Sequence, residues 1–246
     1  MAHPSDSSPR PPGDFAAALA TPEPVLIVGG QAVNLWALYY EARTKNLAPF
    51  VSRDVDVLGD RETLTALAKV IGAAPQFFPF KPPTNEVGVV IAHDDAGAPL
   101  LVEVLRTVHG VTNEELRDSA YAMVLGERKV RVQVPEPIAL LKAKIANVAD
   151  LAQNGRQDAR HVVNLAQLMP AFLADIIKAS AQGRMDERRA VDRLETLQGL
   201  VTGAKGKKVL AGLKIAPRDL FVGLHPGKLA KVNAFLLKRP ALRLGN

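Results

Sequence analysis

The sequence predicts an α+β protein, in which a mixed β-sheet with flanking helices is followed by an all-helical C-terminal part. Short segments rich in β-branched and aliphatic residues alternate with helical patterns up to about residue 134. From Pro135 onward, apolar residues recur at helical spacing, with breaks at glycine and proline. A chain of 246 residues, 48% of them hydrophobic, is long enough for one large domain or two small ones.

The N-terminal part begins with a segment unlike the rest of the chain. Residues 1–14 hold four prolines and no apolar run, which predicts a disordered leader and not a secretory signal. Residues 15–134 are predicted to form the first domain. Its first strand, residues 24–28, ends at the pair Gly29-Gly30, and a helix follows from about Gln31.

Several further elements are predicted before Pro135. The DVDVL segment, Asp54–Leu58, alternates acidic and aliphatic residues, as expected of a strand with one buried face. The other predicted elements are a helix over residues 61–71, a hairpin of residues 87–93 and 100–105, and a strand pair of residues 120–125 and 129–134.

Residues 135–246 are predicted to form a helical, basic C-terminal domain. Because proline interrupts a helix, Pro170 is predicted to separate a helix over residues 157–168 from one over residues 171–182. From Lys178 to the end there are 15 Lys and Arg against 5 Asp and Glu, whereas the preceding residues hold 16 against 20. Such a basic stretch attracts polyphosphates and nucleic acid, although a solvated helical surface explains the charge equally well.

Composition narrows the classes of function. The absence of cysteine excludes a disulfide framework and a thiolate metal site, and it fits a reducing cytoplasm. No run of about 18 apolar residues is present, so no membrane span is expected. The lysines of the GAKGKK stretch fit either a phosphate-contacting loop or a solvated linker; they are Lys205, Lys207 and Lys208.

The acidic residues of the DVDVL segment are the first candidates for chemistry. Alternate residues of a strand point to the same face, so Asp54 and Asp56 should project side by side. Two adjacent carboxylates repel each other unless a cation lies between them, and Mg²⁺ is bound by one or two carboxylates together with substrate phosphates. A solvent-facing edge strand with acidic outward positions would show the same pattern.

Two other features support a phosphate site. The pair Gly29-Gly30 lets backbone N–H groups at a helix N-terminus approach phosphate, although a plain strand-to-helix turn would also use glycine. Glu103 lies within the apolar run LLVEVL, where a buried carboxylate without a partner would cost several kcal/mol. Glu103 must therefore reach solvent or bind a cation.

The order of glycine pair, DVDVL and later acid resembles the DNA polymerase β-like superfamily of nucleotidyltransferases. The resemblance implies a nucleotidyltransferase-fold sheet, in which two Mg²⁺ ions are held by three acids at the positions of Asp54, Asp56 and Glu103. It also implies that the glycine loop holds the triphosphate of an NTP; the matching residues here are Gly29, Gly30 and Gln31. Arg53 is a further candidate phosphate contact, or else an exposed partner of a neighbouring acid.

Residues 135–168 are similar to the corresponding segment of AbiEii/MenT-type nucleotidyltransferases, and the whole match covers residues 25–168. On this match Lys144 takes the place of the family's lysine, which serves the triphosphate, and Asp158 takes that of its aspartate. The chain departs from the family in two acids, because Glu103 replaces the usual third aspartate and His161 stands where a second aspartate often follows Asp158.

The resemblance implies a magnesium-dependent enzyme that moves a nucleoside monophosphate from an NTP to an acceptor. For this branch the implied acceptor is RNA, in particular tRNA, and the implied role is that of a toxin with a cognate antitoxin. Two alternatives remain open at the level of the sequence: a nucleotidyltransferase that modifies a small molecule such as an antibiotic, and an inactive nucleotidyltransferase-fold protein that binds nucleic acid.

Overall fold

The computed structural model describes residues 8–79, 85–94 and 96–239, and they form two compact units. The first, here called the sheet unit, comprises Met1–Leu38 and Ala48–Leu140, and the second, the helical unit, comprises Tyr39–Leu47 and Leu141–Asn246. The predicted α+β class is confirmed, since a mixed sheet is followed by successive helices. The division falls a few residues beyond Pro135, inside a helix.

A mixed seven-stranded sheet forms the centre of the sheet unit, in the order β3-β4-β5-β2-β1-β7-β6. The neighbours β2 and β5 are parallel, as are β1 and β7, and the other neighbouring pairs are antiparallel. The strands are β1 (Leu26–Val28), β2 (Asp54–Leu58), β3 (Gln76–Phe77), β4 (Glu86–His93), β5 (Pro99–Leu105), β6 (Ala120–Leu125) and β7 (Val130–Pro135).

The predicted hairpin is confirmed as β4 and β5, and the predicted second strand pair as β6 and β7. The helices are α1 (Gly29–Tyr39), α2 (Arg61–Ile71), α3 (Asn113–Asp118), α4 (Pro137–Asp150), α5 (Asp158–Ala181), α6 (Glu187–Thr202), α7 (Ala204–Gly212) and α8 (Ala230–Leu237).

Helix α2 shows how local sequence fixes an element beside β2. Asp60 caps its N-terminus by accepting a hydrogen bond from the Thr63 N–H at 2.9 Å, and Gly72 ends it in the left-handed conformation, with φ of 72°. Leu64 and Leu67 are fully buried, and each contributes about 1.5–3 kcal/mol by leaving water. Gly88 of β4 makes this packing possible, because a Cβ there would lie 2.7 Å from the Leu64 side chain.

The N-terminal segment is ordered from Arg10 onward, so the prediction of a disordered leader is wrong for residues 10–14. Arg10 exchanges two backbone hydrogen bonds with Ser52, of 2.8 and 3.0 Å, and a 3₁₀ helix follows over Pro12–Phe15. Proline suits an extended segment and the first turn of a helix, and Phe15 anchors the segment by complete burial. Residues 1–7 of the predicted leader lie outside the described residues.

The segment Tyr39–Leu47 belongs to the helical unit because it is bonded to α5. The Tyr40 hydroxyl donates to Asp175 at 3.0 Å, and Arg43 Nη1 donates to both oxygens of the same carboxylate at 2.8 and 2.7 Å. Asn164 donates to the Leu47 carbonyl at 3.1 Å. These long-range bonds explain why a linear boundary near Pro135 does not describe the division of the chain.

Helix α5 continues through Pro170, so the predicted break at that residue is wrong. A proline inside a helix costs about 3 kcal/mol, because one backbone hydrogen bond is lost and the ring crowds the preceding turn. The apolar face of α5 is buried both before and after Pro170. Burial of each large side chain contributes about 1.5–3 kcal/mol, which offsets the cost of the proline. The buried apolar residues flanking the proline include Val162, Leu165, Met169, Phe172, Leu173 and Ile176.

By length and composition α5 could also cross a membrane, although its sequence contains no unbroken run of about 18 apolar residues. Its 24 residues include an 18-residue window of mean hydropathy 1.4. Core helices of globular proteins share this property, and 56% of that window is buried within the protein. Its buried polar residues Asp158, His161 and Asn164 also distinguish α5 from an apolar span.

The GAKGKK stretch lies in helix α7, so neither the loop nor the linker interpretation is correct. Gly206 allows α7 to pack closely on α6, because a Cβ there would lie 2.0 Å from the Leu200 carbonyl oxygen. Lys205 forms an ion pair with Asp150, and Lys207 and Lys208 are exposed.

Candidate active site

The candidate active site lies on the sheet, where β2 is flanked by β1 and β5. Asp56 is paired with Val28 of antiparallel β1 on one side and with Glu103 of parallel β5 on the other. Paired residues of neighbouring strands share a face, and Asp54 shares it by alternation. Val55 and Val57 are buried on the opposite face, as the DVDVL pattern predicts. The sheet therefore brings Asp54, Asp56 and Glu103 together.

Glu103 is largely buried and lies beside other carboxylates. Burial is the largest cause and the charges of Asp56, Asp54 and Glu86 add to it, so that together they raise the pKa of Glu103 to about 8. Glu86, on β4, is a fourth acid that sequence reasoning did not identify. The reason is a β-bulge between Glu86 and Gly88, which shifts the alternation of β4 in a way that residue types do not reveal.

The glycine turn touches the carboxylates directly. Gly29 has φ of 66°, and a Cβ there would lie 1.7 Å from Oδ2 of Asp56. Only glycine permits both this backbone conformation and this approach. Because α1 begins at Gly29, the backbone N–H groups of its first turn start beside the Asp56 carboxylate. This is the arrangement expected of a phosphate-binding turn next to metal-binding acids.

The other predicted nucleotide contacts have different environments. The Gln31 side chain is buried, donates to the Arg10 carbonyl at 3.0 Å and accepts from Asn34 at 3.2 Å, so only its backbone N–H remains for a phosphate. Arg53 is exposed beside Asp54. Ser52 donates to Oδ1 of Asp54 at 3.3 Å, which helps to fix that carboxylate.

The carboxylate oxygens of this site are the kind of ligand that Mg²⁺ prefers. Asp54 and Asp56 are hard oxygen ligands on one face, and Mg²⁺ usually takes one or two carboxylates while substrate phosphates complete its shell. Among the described residues, no group of three or more His, Asp or Glu side chains is arranged to hold a metal ion. The three carboxylates therefore share a face without forming a closed ligand set, and the predicted role of Glu103 as a metal ligand stays a prediction.

Lys144 and Asp158 are brought together within the helical unit. The Lys144 ammonium donates to Oδ1 of Asp158 at 2.7 Å, and Asn147 donates to the same oxygen at 3.2 Å. Arg156 donates to Oδ2 at 2.7 Å. Burial alone would raise the pKa of Asp158, but the Lys144 charge and the hydrogen bonds from Lys144, Arg156 and Asn147 outweigh it and lower that pKa to about 2.

His161 lies in the same part of the helical unit, one turn after Asp158. Burial and the Lys144 charge lower its pKa to about 3, against the opposing charge of Asp158. The imidazole is therefore neutral at pH 7 and does not substitute for a second carboxylate. Within the described part of the chain, neither ring nitrogen has a hydrogen-bond partner. The lack of hydrogen-bond partners for these nitrogens results from long-range packing, so the local sequence could not predict it.

No family model matches the chain, and no curated protein matches it. Among solved structures, it is similar to the crystal structure of an antigenic nucleotidyltransferase-like protein from Paracoccidioides brasiliensis, at 18% sequence identity and a TM-score of 0.37. The alignment covers 58% of this chain and 67% of that one. A likeness of this size carries no inference about activity, so the function is inferred from the arrangement of the carboxylates and the glycine turn.

Proposed function

We propose that the protein is a magnesium-dependent nucleotidyltransferase that moves a nucleoside monophosphate from an NTP to an acceptor hydroxyl. The observation that carries this proposal is the three-strand arrangement at Asp56, which is paired with Glu103 on one side and touches the Gly29 turn on the other. The acids that would hold metal therefore lie next to the backbone N–H groups that would hold phosphate.

Each group of the sheet unit has a distinct task in this proposal. The backbone N–H groups of Gly30 and Gln31 hold the outer phosphates at the N-terminus of α1. Asp54 and Asp56 would hold two Mg²⁺ ions, with Glu103 as the third ligand, and the bound ions would stabilise negative charge on the phosphoryl oxygens. A metal ion bound at Glu103 would lower the pKa of the acceptor hydroxyl.

For the acceptor we propose RNA, in particular tRNA, and for the physiological role a toxin with a cognate antitoxin, as in the AbiEii/MenT branch. The charge of the chain supports an RNA acceptor, because the residues from Lys178 onward hold 15 Lys and Arg against 5 Asp and Glu. Exposed Lys207 and Lys208 on α7 are available to a phosphate backbone. Lys144, oriented by Asp158, and Arg53 are proposed as further contacts of the triphosphate.

A second candidate function is binding of nucleic acid without catalysis. Two observations favour it over a small-molecule nucleotidyltransferase. The Lys144 ammonium is engaged in a buried ion pair with Asp158, and the described carboxylates do not form a closed three-ligand metal set. A protein that retained the fold as a platform would keep the basic surface and lose nucleotide transfer.

Incubation of the protein with Mg²⁺, each labelled NTP and total RNA tests the proposal. We expect label in a tRNA-sized band, and loss of that label in Asp56→Asn. Asp118→Asn, at an exposed aspartate on α3, is the matched control and should retain the activity. Label on a small-molecule acceptor alone would replace the RNA proposal. If no NTP, acceptor or divalent metal gives product while the protein still binds RNA, the binding function is the correct one.

A further inference from the structure

Strand β1 accompanies β2 for only part of its length. The pairing runs from Leu26, opposite Leu58, to Val28, opposite Asp56, after which the chain leaves the sheet as α1. Ser52, which precedes Asp56 by four residues in the chain, is paired antiparallel with Arg10. The N-terminal segment therefore reaches the same strand that carries the candidate metal ligands.

Arg10 lies on the β1 side of β2. The Gly59 N–H donates to the Leu105 carbonyl, toward β5. By the alternation of a strand, Asp54 directs its N–H and C=O groups away from β5, and the hydrogen bond from Gln31 Nε2 to the Arg10 carbonyl places Arg10 on the same side, next to α1. Arg10 therefore lies where an extension of β1 would pair with this segment. The chain at Arg10 runs in the same direction as β1, because both pair antiparallel.

On this side the described chain is without a paired strand between the start of α1 and Arg10, and this unpaired stretch is here called the slot. A straight strand would span about 13 Å over the four steps from Asp56 to Ser52, and the bend at Arg53 shortens that distance. Gly29 lies at one end of this unpaired stretch, Arg10 lies at the other, and Asp54 lies between them. Among the described residues, no strand pairs with β2 on this side between these two ends.

Arg10 ties the two walls of the slot together through its peptide group. Its carbonyl oxygen accepts from the Ser52 N–H and from Gln31 Nε2, both at 3.0 Å, and its N–H donates to the Ser52 carbonyl at 2.8 Å. Its guanidinium is anchored in turn by Asp94 at 2.8 Å and by Asp14 at 3.8 Å. The first turn of α1 is thus fixed relative to the strand that carries Asp54.

We propose that Arg10 and the Gln31 side chain form a clasp that positions the nucleotide site. This inference rests on the proposed function, since the slot is taken to hold the triphosphate of an NTP. The clasp sets the distance between the N–H groups of α1 and the carboxylates of β2. Arg10 and the Gln31 side chain are positioning groups, because they affect the nucleotide only by holding Ser52 and α1 in place. Its loss should therefore weaken NTP binding more than it slows transfer.

Two truncations of the full chain test the clasp. Deletion of residues 2–7 leaves Arg10 in place, whereas deletion of residues 2–11 removes it. With fluorescent ATP and GTP analogues in Mg²⁺, we expect the shorter deletion to bind like the intact chain and the longer one to bind about tenfold more weakly, as the loss of one or two hydrogen bonds implies. Equal affinity in the intact chain and the longer deletion would overturn the proposal.

A point variant separates positioning from folding. Gln31→Leu removes the Nε2 donor, and we expect it to raise KM for the NTP about fivefold with kcat within about twofold of the original. Gln167→Leu, at an exposed glutamine of α5, is the matched control. A parallel loss of kcat and thermal stability at unchanged KM would show a purely structural role and would contradict the clasp.

The outcomes distinguish the clasp from the enzyme function on which it rests. If the longer deletion does not fold, the Gln31→Leu measurement decides. If the intact chain binds neither nucleotide, the proposed enzyme function fails and the clasp fails with it. If the intact chain binds and both variants bind as tightly, only the clasp is wrong.

Discussion

At the scale of single residues, the close approach of Gly29 to Asp56 determines how the glycine turn and the acids meet. The positive φ of Gly29 and the 1.7 Å separation between its notional Cβ and Asp56 Oδ2 are independent constraints, and each excludes other residues. Sequence reasoning identified the glycine pair from its place between a strand and a helix. The contact with Asp56 follows only from the pairing of Val28 with Asp56.

Replacement of Gly29 by alanine should be far more damaging than replacement of another glycine with the same backbone. Gly72→Ala, at φ of 72° with nothing within 4 Å of the added Cβ, should cost about 1–2 kcal/mol of unfolding free energy. Gly29→Ala should cost more and abolish nucleotide binding, because the Asp56 carboxylate must move. Urea unfolding and NTP binding of the two variants measure the difference, and equal losses would contradict the contact.

Glu103 should make the stability of the sheet unit depend on pH in the absence of metal. Its pKa rises from 4.5 to about 8 on folding, so the folded state holds the proton more tightly and stability falls as pH rises between those values. Glu103→Gln should remove this loss and raise the unfolding free energy at pH 8.5 by about 2 kcal/mol, after allowance for solvent screening.

Urea unfolding at pH 5 and pH 8.5 measures the effect of Glu103→Gln, and Glu62→Gln on the exposed side of α2 controls for the loss of one negative charge. An unchanged difference between the two pH values would show that folding does not raise the pKa of Glu103.

At the scale of elements, Asp158 joins the successive helices α4 and α5. It lies in the first turn of α5, where a negative charge is favoured by the helix dipole, and it accepts hydrogen bonds from Lys144 and Asn147 of α4. Arg156, in the connection between the two helices, completes the cluster. The family resemblance singled out Lys144 and Asp158 as separate positions, and the structure places them in direct contact.

Removal of Lys144 should destabilise the helical unit strongly, because Asp158 would keep its buried charge with fewer partners. We expect Lys144→Ala to cost about 3 kcal/mol of unfolding free energy, since Arg156 and Asn147 still stabilise the carboxylate. Lys205→Ala breaks the more exposed ion pair with Asp150 and should cost less than about 1 kcal/mol. Similar losses in both variants, measured by urea unfolding, would show that burial of the first pair is energetically unimportant.

At the scale of the whole molecule, the two units should lose stability at opposite ends of the pH range. The sheet unit weakens as pH rises, through Glu103. The helical unit weakens as pH falls: His161 has its folded pKa lowered from 6.5 to about 3, and Asp158 from 3.8 to about 2. As pH falls, both His161 and Asp158 become protonated in the unfolded state before they do so in the folded state, so stability is lost in acid.

Hydrogen exchange measured in acid and in base should reveal this opposition. At pH 4 we expect amides of α5 to lose protection first, and at pH 8.5 without Mg²⁺ we expect amides of β2 and β5 to do so. His161→Phe should restore protection of α5 at pH 4, by on the order of 3 kcal/mol, because the buried imidazole no longer has to remain neutral. Loss of protection in the same elements at both pH values would contradict the assignment.

The sequence by itself determined the elements whose information is local. The strand Asp54–Leu58, the helix Arg61–Ile71 and the β4–β5 hairpin follow from periodicity and capping within a few residues. The same periodicity predicted which face of β2 carries Asp54 and Asp56, because the alternation of a strand requires no knowledge of its neighbours.

Only the tertiary structure decided what depends on distant parts of the chain. Pairing of β2 with β1 and β5 brings Gly29 and Glu103 to Asp56, burial on both sides carries α5 through Pro170, and Arg10 completes the edge that β1 leaves. These outcomes depend on which surfaces bury each other, and that free energy belongs to contacts between segments far apart in the sequence.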